Sequence, residues 1–162
     1  MIDSVVILKT LHVFSATILL GTGIGIAFFC WFGSRAAIRD NNIGALRMVL
    51  RFTVLADALF TAPAVLAQAV TGAMLMHLAG WSWISPWSIT AVGLFVLVGA
   101  CWLPVLWIQW RMKQLADHAS DTGTLPQAFM SLFRAWFLLG MPALAAMLTL
   151  VFLMVAKPLA VM

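Results

Sequence analysis

The chain has 162 residues, of which 64% are hydrophobic and 9% charged, and its mean hydropathy is +1.08. A soluble domain carries about 45–50% apolar and about 25% charged residues, so this composition excludes an ordinary soluble globule and points to an integral membrane protein. Nine Lys and Arg face five acidic residues, none of them Glu; in so apolar a chain that excess reports membrane topology and not nucleic-acid binding.

The first apolar run covers about 5–33. It has no basic stretch ahead of it and is too long for a cleavable signal peptide, so it is expected to remain as a span. Within it, "KTLHVF" places Lys9 and His12 where charged or titratable groups are costly. On a helical wheel Lys9, His12, Ala16, Leu19 and Gly23 share one face, leaving room beside His12 for a flat ligand such as a porphyrin. Gly21 and Gly25 lie on the opposite face with GxxxG spacing. That face suits close packing against a neighbouring helix, a second copy or a partner membrane subunit.

A polar connector, "SRAAIRDNNIGALR", leads to a second run at about 48–79. Its stripe Asp57, Thr61, Ala64, Gln68, Gly72 is expected to face the bundle interior, with Asp57 paired to Arg51 or Arg134. Pro63 is expected to kink the helix. Met74 and His77 share a face at its far end. Thioether and imidazole are soft enough ligands for copper(I), and His77 is also a candidate second haem contact.

The short link "HLAGWSWISPW" leads to a third run at about 85–111. "RMKQLADHASDTGTLPQ" then precedes a fourth at about 130–156. Pro104 and Pro142 fall inside these spans, while Cys30 and Cys101 read as buried hydrophobes without a CxxC or haem-attachment motif. Arg35, Arg39, Arg47, Arg51, Arg111, Lys113 and Arg134 flank the first and third connectors; Lys9 and Lys157 lie toward the other side. The positive-inside rule therefore predicts cytoplasmic connectors and periplasmic termini. Trp31, Trp107, Trp110 and Trp136 would mark one interface, and Trp81, Trp83 and Trp87 the other. The expectation is an all-α, multi-pass protein of a bacterial inner membrane: one four-helix transmembrane domain over residues 1–162, with both termini periplasmic.

The stretches "LKTLHVFSATILLGTGIGIAFFCW", "DALFTAPAVLAQAVTGAML" and "GACWLPVLWIQWRM" resemble the predicted integral membrane proteins of domain-of-unknown-function family 2269. The chain is more distantly similar to a membrane group that includes CopD and HemJ. In HemJ-type proteins a Lys-x-Leu-His pattern opens the first helix and its histidine binds haem b. The matching residues are Lys9, Leu11 and His12, so the resemblance implies His12 as an axial haem ligand. A lysine that HemJ-type proteins carry after a Trp has no counterpart in "SITAVGLFV" after Trp87, and the Arg and second His near the end of their first helix are missing. The resemblance thus implies haem binding without implying protoporphyrinogen oxidation.

Three functions are open from the sequence. One is a haem b protein with His12 on the iron, Lys9 on a propionate, and a redox or electron-transfer role. The second is a copper-handling or transport protein using Met74 and His77. The third is a non-catalytic structural or assembly subunit. Enzymatic activity is left unassigned.

Overall fold

The computed structural model describes residues 4–156; Lys157, expected on the side of the termini, lies outside them. Four helices follow in order: α1 (Ser4–Arg39), α2 (Ile43–Leu78), α3 (Pro86–Thr122) and α4 (Gln127–Ala156). Each is long and apolar enough to cross a membrane. At about 1.5 Å per residue a 36-residue helix reaches about 54 Å, well beyond a hydrocarbon core of about 30 Å.

The surplus length lies largely at the arginine-rich end, where the helices run on into the polar connectors. Most of "SRAAIRDNNIGALR" and of "RMKQLADHASDT" is helical, because both are rich in helix-favouring residues between the true breaks. The first break is three residues long. Asn41 takes a left-handed conformation, φ 50°, and Asn42 caps α2 by accepting from the Ala45 amide at 2.9 Å. The third connector breaks at Gly123, φ 73°, whose amide closes α3 on the Ala119 carbonyl. Ion pairs tie the protruding ends together: Asp117 meets Arg47 of α2 at 2.9 Å and Lys113 of its own helix at 2.8 Å. At the opposite end Ser85 caps α3, with Pro86 in its first turn.

α1 packs along α2, and α3 along α4. The two hairpins meet chiefly where Ile43–Ala56 of α2 packs on α3, whereas Ala62–Leu78 packs chiefly on α1. The main core therefore sits in the arginine-rich half. There Leu46 and Leu50 meet Met112 and Ile108, while Phe129, Phe133 and Trp136 stack along α4. A smaller cluster at the other end joins Trp87, Ala91 and Leu153. Trp87 and Trp136 turn inward and are buried in these cores. Cys30 and Cys101 are buried free thiols, as expected.

Pro63 acts differently from a plain kink. The turn before it, Asp57–Thr61, is a π-turn in which the Ala62 amide reaches back to the Asp57 carbonyl. The extra residue accommodates a proline that cannot donate to the helical ladder. It also changes which way Asp57 faces relative to the rest of α2.

Candidate functional site

Two polar constellations lie within the membrane-spanning part. The first is a seam between α1 and α2. His12, half-buried, places Nδ1 2.8 Å from Oγ1 of Thr71. The Thr71 hydroxyl donates to the Ala67 carbonyl, so it has only acceptor capacity left for His12. The network therefore assigns the proton to Nδ1 and leaves a lone pair on Nε2. Beneath the ring is Gly72, where a Cβ would come within 3.3 Å of His12 Cε1; glycine lets the imidazole lie close against α2.

The backbone of His12 is held as well. Gln68 Nε2 donates to the His12 carbonyl and, at 2.8 Å, to Ser15 Oγ, which itself donates to the His12 carbonyl at 3.1 Å. Two turns of the seam further along, Thr61 donates to Thr22 at 3.2 Å. These side chains satisfy one another where water is scarce, fixing the register of α1 on α2 and the orientation of His12 together.

The second constellation lines a cavity of about 380 Å³ with walls from all four helices. Asp57 is buried there and accepts from Trp102 Nε1 at 3.5 Å. The expected pairing with Arg51 or Arg134 does not form among the described residues, whose ion pairs are those of Asp40 and Asp117. Asp57 Oδ2, Gln109 Oε1 and Trp136 Nε1 are buried without a hydrogen-bond partner. The stripe expected on one face of α2 is thus divided: Gln68 and Gly72 serve α1, Asp57 serves α3 and the cavity, and Thr61 bonds Thr22 of α1 while also lining the cavity.

The structure separates residues that the helical wheel groups. Gly23 lines the cavity, with Met147 Cε 3.2 Å from where its Cβ would be, whereas His12 is outside the cavity lining. They stand eleven positions, about 16 Å of helix axis, apart. Lys9 is exposed and makes no hydrogen bond or ion pair among the described residues. Met74 and His77 are exposed at the far end of α2, and no group of three His, Cys or Asp side chains gathers there among the described residues. Gly21 and Gly25 face outward, with nothing in the chain within 4 Å of a Cβ at either position.

Sequence reasoning missed Thr71, Ser15, Trp102 and Gln109. Thr71 was detectable, because it adjoins Gly72 and lies three residues from Gln68 on the same helical turn. Trp102 and Gln109 carried no signal beyond their residue type.

The chain matches the family of predicted integral membrane proteins designated domain of unknown function 2269 over residues 6–158, and it belongs to that family. No curated protein and no solved structure matches it. These comparisons show no likeness to the HemJ and CopD group.

Proposed function

We propose that this member of the family binds haem b inside a bacterial inner membrane through Nε2 of His12, in a redox or electron-transfer role. The observation that carries the reading is the hydrogen bond between His12 Nδ1 and Thr71. Ligating histidines characteristically donate their other ring N–H to a fixed acceptor, which sets the tautomer and aims the free nitrogen. Gln68 and Ser15 hold the backbone beneath it, and Gly72 supplies the ring with a close seat.

Lys9 lies one helical turn outward from His12 and is free to extend its ammonium toward a propionate. The haem iron would supply one-electron chemistry; the chain's part would be to hold the His12 imidazole in a single tautomer within a low-dielectric setting. The clustering of Arg35, Arg39, Arg47, Arg51, Arg111, Lys113 and Arg134 at one end supports periplasmic termini and a periplasmic-half position for His12. The copper reading through Met74 and His77 has less behind it, since both are exposed and no third His, Cys or Asp ligand joins them among the described residues.

The test is the visible spectrum of protein purified after expression with 5-aminolevulinate. A Soret band is expected from the wild type, its loss from His12→Ala, and weaker retention with an unchanged band shape from Lys9→Met. A wild-type protein without the band, or a His12→Ala protein that keeps it, overturns the reading.

A further inference from the structure

At the arginine-rich end, α1 and α4 pack only loosely and leave an outward-facing groove of about 600 Å³. Three arginines line it: Arg35 and Arg39 from α1, and Arg134 from α4. So do Trp31, Phe137 and Leu138, and no acidic side chain does. The two helices run in opposite directions, so these residues are sorted by depth. Arg39 lies about 12 Å along the axis beyond Trp31, toward the aqueous side. On α4, Arg134 stands nearer that side than Phe137 and Leu138. The groove is cationic at its mouth and apolar at its depth.

The charges are available for a ligand. Arg134 makes no ion pair among the described residues, and the Arg35 guanidinium lies over the Trp31 ring at 5.2 Å. Arg39 is bonded to Asp40 at 2.9 Å, but both side chains are solvent-exposed and such pairs are weak. The inner wall is the Trp31–Phe137 ring pair, with centroids 4.3 Å apart. Both residues also line the central cavity, so this pair divides the cavity from the bilayer.

We infer that the groove is a binding site for an anionic phospholipid. Its phosphate lies between Arg35 and Arg134 with Arg39 at the rim, and its upper acyl chain runs along Trp31, Phe137 and Leu138. Guanidinium groups suit phosphate because their planar fork donates two parallel hydrogen bonds. Basic pockets between transmembrane helices at a cytoplasmic surface are recognised lipid-headgroup sites. The apolar depth decides between a lipid and a free anion: inorganic phosphate would satisfy the arginines and leave the aromatic wall unused. A zwitterionic lipid would bring its own cation against three others. The site is independent of haem at His12, which belongs to the opposite half of the bundle.

The competing explanation is that these arginines only add to the general positive charge of that end, and a charge-matched control separates the two. Native mass spectrometry of the full chain would compare dioleoylphosphatidylglycerol, dioleoylphosphatidylcholine and inorganic phosphate as added ligands. Wild type is expected to retain phosphatidylglycerol preferentially. Arg35→Gln with Arg134→Gln should weaken that retention about tenfold or more, while Arg51→Gln with Arg111→Gln, the same loss of charge outside the groove, should leave it nearly intact. Arg134→Gln alone, an exposed single change, should give an intermediate loss. The inference is overturned if both double variants lose the lipid equally, if phosphatidylcholine is retained as well as phosphatidylglycerol, or if inorganic phosphate displaces the lipid and binds as tightly.

Discussion

The hydroxyl oxygen of Thr71 lies 2.8 Å from Nδ1 of His12, joining residues 59 positions apart across the α1–α2 seam. Because that hydroxyl already donates to Ala67, it can only accept from the imidazole. Thr71→Val keeps the shape and removes the acceptor, stranding a part-buried N–H at a cost of about 1–3 kcal/mol. A lower thermal midpoint in detergent is expected, with Thr71→Ser close to wild type. In a background of His12→Ala the same valine should cost much less, because the group it strands is already gone. Additive losses would show that the two side chains do not interact.

Gly72, packed under His12, and the outward-facing Gly21 and Gly25 should respond in opposite ways. Gly72→Ala sets a methyl group 3.3 Å from His12 Cε1, so the ring must yield by a few tenths of an ångström. A loss of about 1 kcal/mol is expected, the low end of overpacking costs. Gly21→Ala and Gly25→Ala meet nothing within 4 Å and should leave the isolated chain as stable as before, or slightly more so. If their face contacts another copy or a partner subunit, the same changes would reduce cross-linked oligomer in membranes without lowering the monomer's thermal midpoint.

Asp57 is bonded to a tryptophan and not to a cation, which lowers the expected cost of changing it. Breaking a buried ion pair costs about 3–5 kcal/mol. Asp57→Asn keeps an acceptor for Trp102 Nε1 and should stay within about 1 kcal/mol of wild type, whereas Asp57→Leu strands that donor and should lose about 1–3 kcal/mol. Thermal unfolding of the two variants side by side checks the difference. A collapse of the asparagine variant would mean that the negative charge itself holds the bundle.

The helical ends also change how topology is best tested. Reporters belong in the true breaks, at Asn41 and at Thr124, because an insertion near His118 would interrupt α3 beside the Asp117 ion pairs. Fusions at both breaks are expected to read as cytoplasmic, and one at the C-terminus as periplasmic. A periplasmic signal from Asn41 would reverse the orientation.

Hydropathy located all four spans, since about 20 apolar residues in a row leave few alternatives. It did not reveal that the helices continue past the membrane, because polar connectors and polar helix ends have the same composition. The helical wheel assigns an angle and no depth: Gly23 shares a face with His12, yet about 16 Å of axis separates them and Gly23 lines the cavity. The direction of Asp57 was hidden for a different reason: one added residue in the π-turn before Pro63 breaks the regular count on which the wheel depends. Thr71 and Gln68 were reachable because they repeat on the turns that face α1.

Gly33 and Val49 offer the most direct check on how α1 lies against α2 near the arginine-rich end. A Cβ at Gly33 would be 2.9 Å from Val49 Cγ2 and 3.3 Å from Cγ1, closer than carbon atoms approach without displacement. Val49 is buried and β-branched, so its χ1 is stiff and it cannot swing aside as a long side chain would. Gly33→Ala should therefore destabilise by about 1–3 kcal/mol, even though alanine is the better helix former. Val49→Ala alone should also destabilise, by losing buried methyl groups. Combined, the two should recover part of the loss, because the new methyl group enters the space that the valine vacates. The double variant is thus expected to be more stable than the sum of the single losses predicts, by an interaction of about 1 kcal/mol or more. Additivity in thermal or denaturant unfolding would mean that α1 and α2 do not meet at this pair, and the register that also brings His12 to Thr71 would have to be redrawn.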